Sequence, residues 1–305
     1  MKKTYHLCLS AGDEVMFRDL EDYHRGFNCF ALALYKTDSV GLVESIMSNH
    51  THQLIQTAVP KEFMYVFRHS YTKYFNYKYQ RQGKLGERNH FMMEVVGYNH
   101  MLAAASYVLR NPLHHGLVPI PYAYHHSSVN AIFRESMGKF PQENMLPKKS
   151  FYKYIGKSAE YPDTYKMHES GVFLRESVLD IPQVENMFVT PRAFNYYMTR
   201  KSSEEWEREQ ERDNNGCPPV SLLSIESGIS PSSDLDKMIR FEAGKSDYRQ
   251  MSDIELCTYI DNLVRTSYAK HSVYHLSLQE KRRIADELYR TLHISAERIR
   301  RCLVF

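Results

Sequence analysis

Cysteine is scarce and scattered in this 305-residue chain. Cys8, Cys29, Cys217, Cys257 and Cys302 are odd in number, far apart and never spaced as Cys-x-x-Cys. That pattern excludes a disulfide framework and a structural zinc site, and it reads as reduced, mostly structural thiols. Long apolar runs are missing too: no stretch approaches the roughly 20 residues that cross a bilayer, which excludes an integral membrane protein. Lys2 and Lys3 open the chain as a signal peptide does, but Tyr5, His6, Ser10, Asp13 and Glu14 interrupt any apolar core. The expectation is a cytoplasmic protein. Charge of one sign is also in short supply, and a net charge of +3 is too small to establish a nucleic-acid partner from the global sum.

What remains, 43% hydrophobic and 25% charged residues, is the composition of an ordinary globular protein long enough for one large or two to three smaller domains. Thr4 to Ser10 alternates Tyr5, Leu7 and Leu9 against His6, Cys8 and Ser10, the period of a half-buried strand. A helix from Asp19 to Tyr35 follows. Val40 to Met47 then reads as a strand that runs, with a break near Ser48, into His50 to Ile55. Pro60 marks the start of a helix over Lys61 to Tyr79, and His90 to Val96 reads as a further strand. The next helix spans Asn99 to Arg110 and is expected to stop at Asn111-Pro112, because proline disfavours helical geometry in the residue before it. The order βαββαβα predicts an α+β fold, one sheet backed by helices.

Beyond residue 135 the periods fade into tyrosines and scattered prolines, a charged run at 202–213 holding the only tryptophan, Trp206, and a Gly, Pro and Ser-rich linker at 214–234. Residues 136–250 are therefore an insert or helical extension between a domain at 1–135 and a helical tail at 251–305. In the tail, Ser252 to Tyr268 fits a helix, Ser277 with Glu280 forms the capping box of a second, and Ser295 caps a third. Ile299 and Leu303 are expected inward, with Arg298, Arg300 and Arg301 outward. Two short helices across a tight turn resemble a helix-turn-helix, the competing reading being a small bundle packed on the rest of the chain.

Local charge is more telling than the sum. From Lys61 to His90, Arg68, Lys73, Lys78, Arg81, Lys84 and Arg88 face only Glu62 and Glu87, and aromatic rings from Phe63 to Tyr79 are interleaved with them. Cations for phosphates and rings for bases suit a single-strand groove, while the same rings also suit the core face of an amphipathic helix.

Two spacings carry chemistry. In His50-Thr51-His52 the histidines lie two apart on a strand, so both leave the same face and can share one cation. In Tyr107-Val108-Leu109-Arg110-Asn111-Pro112, Tyr107 and Asn111 are i and i+4 on a helix and present a hydroxyl and an amide oxygen together. These two motifs, with Met47-Ser48-Asn49 before the histidines, the Gly116-Leu117-Val118 that follows the tyrosine helix and the downstream Ser127-Ser128, resemble the single-tyrosine HUH transposases, most closely the REP-associated tyrosine transposases, over residues 4 to 134. The sequence departs from that pattern at Thr51, where a bulky apolar residue is usual, and at His114 and His115, where basic residues are usual.

The resemblance implies an antiparallel HUH endonuclease sheet with a ferredoxin- or RRM-like core. It implies Tyr107 as nucleophile and His50, His52 and Asn111 as ligands of Mg²⁺ or Mn²⁺. It further implies a substrate of single-stranded DNA, from hairpin-forming repeats, and a homodimer. The expected activity is nicking and rejoining of that DNA through a 5′-phosphotyrosine link, for transposition or for processing of repeated hairpins. No general base is evident in the sequence. A non-catalytic DNA-binding regulator that keeps a vestigial HUH fold and uses the tail helices is the alternative. Replication-initiator or relaxase chemistry uses the same core, but the Asn-Pro context favours the transposase branch.

Overall fold

Antiparallel pairing organises the first hundred residues of the chain, seen here in a computed structural model that describes residues 1–87, 90–139, 144–199 and 251–305. Arg88, Cys217, the charged run at 202–213 and the linker at 214–234 lie outside the described residues. The elements follow the expected order: β1 (Lys3–Ser10), α1 (Leu20–Lys36), β2 (Val40–Ile46), β3 (His50–Thr57), α2 (Pro60–Tyr79), β4 (Phe91–Val95) and α3 (Tyr98–His114). The four strands form one antiparallel sheet in the order β2-β3-β1-β4. A tight reversal at Met47-Ser48-Asn49 breaks β2 from β3, where the Met47 amide donates to the His50 carbonyl at 2.8 Å.

The register decides which side chains meet. Cys8 lies opposite His52 and Ser10 opposite His50, while His6 lies opposite Leu54 and Met93, so His6, His50 and His52 share one face. Helix α3 covers that face, with the Tyr107 ring packed on His6 and His52. The other face is covered by α1 and α2, whose Phe30, Phe63 and Phe67 stack into the core. Coverage on both sides corrects the half-buried reading of β1: every residue from His6 to Ser10 is buried, as in strands sandwiched between helical layers.

Helix α3 also runs further than expected. Pro112 sits within it, in the last turn, where a missing amide removes a single ladder bond and the helix continues to His114. The stop comes four residues later. Gly116 adopts φ +64°, its amide reaches the Leu113 carbonyl at 3.0 Å and the Leu117 amide reaches Pro112 at 2.9 Å, a Schellman end that needs the left-handed conformation glycine allows.

Residues 144–199 add four helices, α4 (Tyr152–Ile155), α5 (Arg175–Val178), α6 (Ile181–Phe188) and α7 (Pro191–Thr199). Phe151, Met167, Phe173, Val184 and Phe194 from this region join the hydrophobic core of the sheet, which is continuous across residue 135. Glu44 on β2, buried, accepts from Arg175 at 2.5 Å, and the Asp180 amide donates to the Gly41 carbonyl at 2.9 Å.

The tail forms α8 (Asp253–Ser267), α9 (Leu278–Leu292) and α10 (Ala296–Leu303), with capping boxes at Ser252/Glu255 and Ser277/Glu280. Leu256, Ile260, Ile284, Leu288 and Ile299 make a second core, to which Val15 is added from the first part of the chain. The outward placement of the arginines on α10 needs correction. Arg298 and Arg301 are buried and reach Asp253 at 3.2 and 3.3 Å, because the buried carboxylate at the start of α8 needs cationic partners. Although burial raises its pKa, Arg301 and Arg298 hold the Asp253 carboxyl below the usual carboxylate range. Only Arg300 of the three is exposed, so α10 offers no row of arginines to a DNA groove and the small-bundle reading fits the tail better than a recognition helix.

Arg18 joins the tail to the sheet domain. Fully buried, it donates to both Asp261 oxygens on α8 at 3.0 and 2.8 Å and to the Cys302 carbonyl on α10 at 2.8 Å. Removing one partner leaves the other as an uncompensated buried charge, which costs about 3–5 kcal/mol. Arg18→Ala is therefore expected to lower stability by about that amount in denaturant unfolding followed by circular dichroism, or to split the transition as the tail comes off first. A single transition shifted by less than about 1 kcal/mol would contradict this role of the pair.

Candidate functional site

Strand β3 and helix α3 place four of the sequence-selected side chains together between sheet and helix. His50 and His52 project from β3 toward α3, and Tyr107 and Asn111 project from successive turns of α3 toward the sheet. All four are buried, Tyr107 being 5% exposed. The His50 and His52 rings are 5.2 Å apart and nearly perpendicular, and the Tyr107 ring lies 5.4 Å from His52. Thr51, between the histidines, points to the opposite face, where its hydroxyl accepts from the Gln53 amide.

Hydrogen bonds orient the rings. His50 Nδ1 meets Asn49 Oδ1 at 2.7 Å, and the Asn49 amide is itself fixed by donating to the Gly12 carbonyl at 2.9 Å. An Nδ1–H on His50 satisfies that oxygen and leaves Nε2 as a lone pair, 3.2 Å from Asn111 Oδ1. Two acceptors so placed repel unless a cation or a turned-over amide lies between them. His52 Nδ1 meets His6 Nε2 at 3.0 Å, and His52 Nε2 is buried without a hydrogen-bond partner.

The His50–Asn111 pair has the spacing of two ligands of a small divalent cation. Adjacent ligands of an octahedral Mg²⁺ ion bound at about 2.1 Å lie about 3 Å apart, the order of the His50–Asn111 separation. Among the described residues no group of three or more His, Cys, Asp or Glu side chains is placed to hold a metal ion, so the set is two imidazoles with an amide oxygen and not a protein-only cage. Such a sparse set leaves positions for water and a phosphate, the usual arrangement for Mg²⁺ or Mn²⁺.

Four further residues border the site, two of which, His6 and Asp253, the sequence does not single out. His6 bonds His52 from β1; its signal was present in the alternation of that strand, but only pairing of β1 with β3 brings the two rings together. Asp253, from the distant tail, accepts from the Ser48 hydroxyl at 2.8 Å and, with His50, His115 and Leu117, walls a void of about 20 Å³ beside His50. His114 and His115, which stand where basic residues are usual, pack against the site: His114 stacks on Tyr107 with ring centres 5.8 Å apart, and the His115 ring lies 4.9 Å from His50.

The cations selected for nucleic acid divide into two groups. Lys78 is bound to Asp19, Asp22 and Glu21 at 2.7–2.9 Å and Arg81 is bound to Glu14 at 3.2 Å, so both serve the fold. Arg68, Lys73 and Lys84 line a groove of about 410 Å³ on the outer face of α2, together with the stacked rings of Tyr65 and His69, and Arg68 also serves the fold by donating to the Leu85 and Gly86 carbonyls at 3.0 and 2.9 Å. Five of the eight interleaved rings are core, in line with the competing reading: Phe63, Phe67, Tyr71, Phe75 and Tyr79 are buried, Tyr74 is half-buried, and Tyr65 and Tyr77 are exposed.

No family model matches the chain, and no curated protein does. Among solved structures, the chain is similar to one described as "Structure of the REP associates tyrosine transposase bound to a REP hairpin", with 11% sequence identity and a TM-score of 0.38 over 46% of this chain and 84% of that one. A likeness of that size assigns no activity or ligand to this chain. Among the described residues, no helix is long and apolar enough to cross a membrane.

Burial sets the charge of the site. It lowers His50 to about 3, with help from the His115 charge, and His6 to about 3, with help from His100. His114 and His126 are lowered to about 3 in the same way, with Arg110 and Arg175 adding to burial, and His52 falls well below the ordinary value. Because these imidazoles stay neutral in the fold but titrate near 6.5 in the unfolded chain, acid adds protons to the unfolded state alone. Stability should fall as pH drops through 6.5 toward 3, by up to about 1.4 kcal/mol per pH unit for each such group. Thermal melting from pH 7.5 to 4.5 checks this, and a midpoint that does not change across that range would contradict the neutral cluster.

Proposed function

We propose that this chain nicks and rejoins single-stranded DNA through Tyr107, in the manner of the single-tyrosine HUH transposases that its motifs resemble. The carrying observation is the convergence of His50 and His52 from one strand with Tyr107 and Asn111 from successive turns of α3, buried under one helix. In this reading His50, His52 and Asn111 hold Mg²⁺ or Mn²⁺. Such an ion, when bound, polarises a phosphate oxygen.

The chain's own residues do the rest. His50, neutral and donating from Nδ1 to Asn49, keeps its Nε2 lone pair for ligation, and Tyr107, wedged among His6, His52 and His114, has its ring direction preset. Its hydroxyl, with a reference pKa of about 10, gives up its proton as it attacks the phosphorus in line. The tyrosyl O–P bond forms while the bond from phosphorus to the 3′ oxygen breaks; the departing 3′ oxygen takes up a proton in exchange for the one Tyr107 releases, and the segment downstream of the nick stays on Tyr107 through its 5′ phosphate as a phosphodiester. Attack by an incoming 3′-hydroxyl reverses these bond changes, so joining needs no nucleotide cofactor.

The strand has to be admitted, because His50, His52, Tyr107 and Asn111 are all buried. The turn at 115–117 and Asp253 line the void beside His50. Arg68, Lys73 and Lys84, with Tyr65 and His69, offer phosphate and base contacts along α2, and exposed Arg300 a further cation. The substrate class is hairpin-forming repeats, used in transposition or in processing of such repeats, and the working form is a homodimer. The closed site also suits the second reading, a DNA-binding regulator without catalysis.

Labelled single strands from both flanks of its own gene, incubated with the chain and Mg²⁺ or Mn²⁺ and run on a denaturing gel, separate the two. A shifted, protease-sensitive band is expected that disappears in Tyr107→Phe and His50→Ala and with a chelator. Binding of these strands with no adduct under either metal would sink the catalytic reading and leave the regulator.

A further inference from the structure

His50 and His52 are each held at Nδ1, but by different partners. For His50 the partner is Asn49 Oδ1, an atom that can only accept. For His52 it is His6 Nε2, which can accept or donate. The direction of that one hydrogen bond decides what His52 offers to α3. If His6 donates, the His52 proton sits on Nε2, and the atom that faces the site without a partner is an N–H that no cation can use. If His52 donates, its Nε2 is a lone pair matching that of His50.

We infer that His6 is a positioning residue whose Nε2 accepts from His52 Nδ1–H, fixing the His52 ring and tautomer for the cation, as Asn49 does for His50. The inference rests on the cation-binding reading above. It follows from the sheet register: His6 and His52 sit diagonally across β1 and β3 on one face, with ring centres 5.1 Å apart and both side chains fully buried. Phe91 and Tyr107 pack on the His6 ring at 5.3 and 5.7 Å and leave it little freedom to turn away. His6 meets His52 at Nδ1, on the far side of the ring from the Nε2 proposed as ligand. Its effect is therefore on affinity and ring order, and loss of such an outer partner typically weakens metal binding 10–100-fold.

Counting free Mn²⁺ by electron paramagnetic resonance during titration of the whole chain tests this without DNA or turnover. His6→Phe fills the space but cannot accept, whereas His6→Gln keeps an oxygen that can. The expected result is binding by wild type, a 10–100-fold weaker Kd in His6→Phe, and recovery to within several-fold in His6→Gln, with all three showing wild-type circular dichroism. Wild-type affinity in a folded His6→Phe, while His50→Ala loses binding, would overturn the role of His6 alone. A His6→Gln as weak as a folded His6→Phe would overturn it too, because packing and not acceptance would then be the cause. Absence of saturable Mn²⁺ binding in wild type would remove the cation reading and this inference with it.

Discussion

Coverage of the sheet on both faces is the constraint from which the rest follows. Once α1 and α2 fill one side, the residues of β1 and β3 that point the other way are sealed under α3. In an ordinary core those positions would be aliphatic. Here they are His6, His50 and His52, and low-dielectric surroundings keep them uncharged near neutral pH. His6 Nδ1 and His52 Nε2 are buried there without a hydrogen-bond partner, which is costly, and the proposed cation would fill the gap at His52.

Holding that arrangement closed falls to charges brought from far along the chain. Arg18 fixes α8 and α10 against the sheet domain, and Asp253 at the tip of α8 is shared between Ser48, next to the histidine strand, and the two inward arginines of α10. The tail is thereby tied to the rim of the site. In the proposed reading, these polar contacts are where the rim parts to admit DNA, since exchange with solvent or phosphate can compensate the broken bonds.

Much of this was legible in the sequence. The strand and helix order follows from period-two and helical patterns and from signals such as the Ser277/Glu280 cap, all of which depend on neighbours in the chain. The His50/His52 and Tyr107/Asn111 pairs were visible because strand and helix periods alone place each pair on one face. What was hidden depends on long-range pairing. His6 joins the site only through the β1–β3 register, and Asp253 only through docking of the tail 205 residues away from Ser48. The arginines of α10 were misplaced for the same reason, since a helical wheel cannot foresee a buried carboxylate waiting on another helix. The proline at 112 misled because its cost depends on position: in the last turn it removes one hydrogen bond, not a ladder.

The central claim is that these buried groups form a cation centre next to the nucleophile. Crystals of the chain soaked in Mn²⁺ and measured for anomalous scattering test it most directly. The account predicts a peak at about 2.0–2.3 Å from His50 Nε2, His52 Nε2 and Asn111 Oδ1 together. Saturating Mn²⁺ that leaves no peak there, with the Asn111 amide turned over to donate to His50, would contradict it.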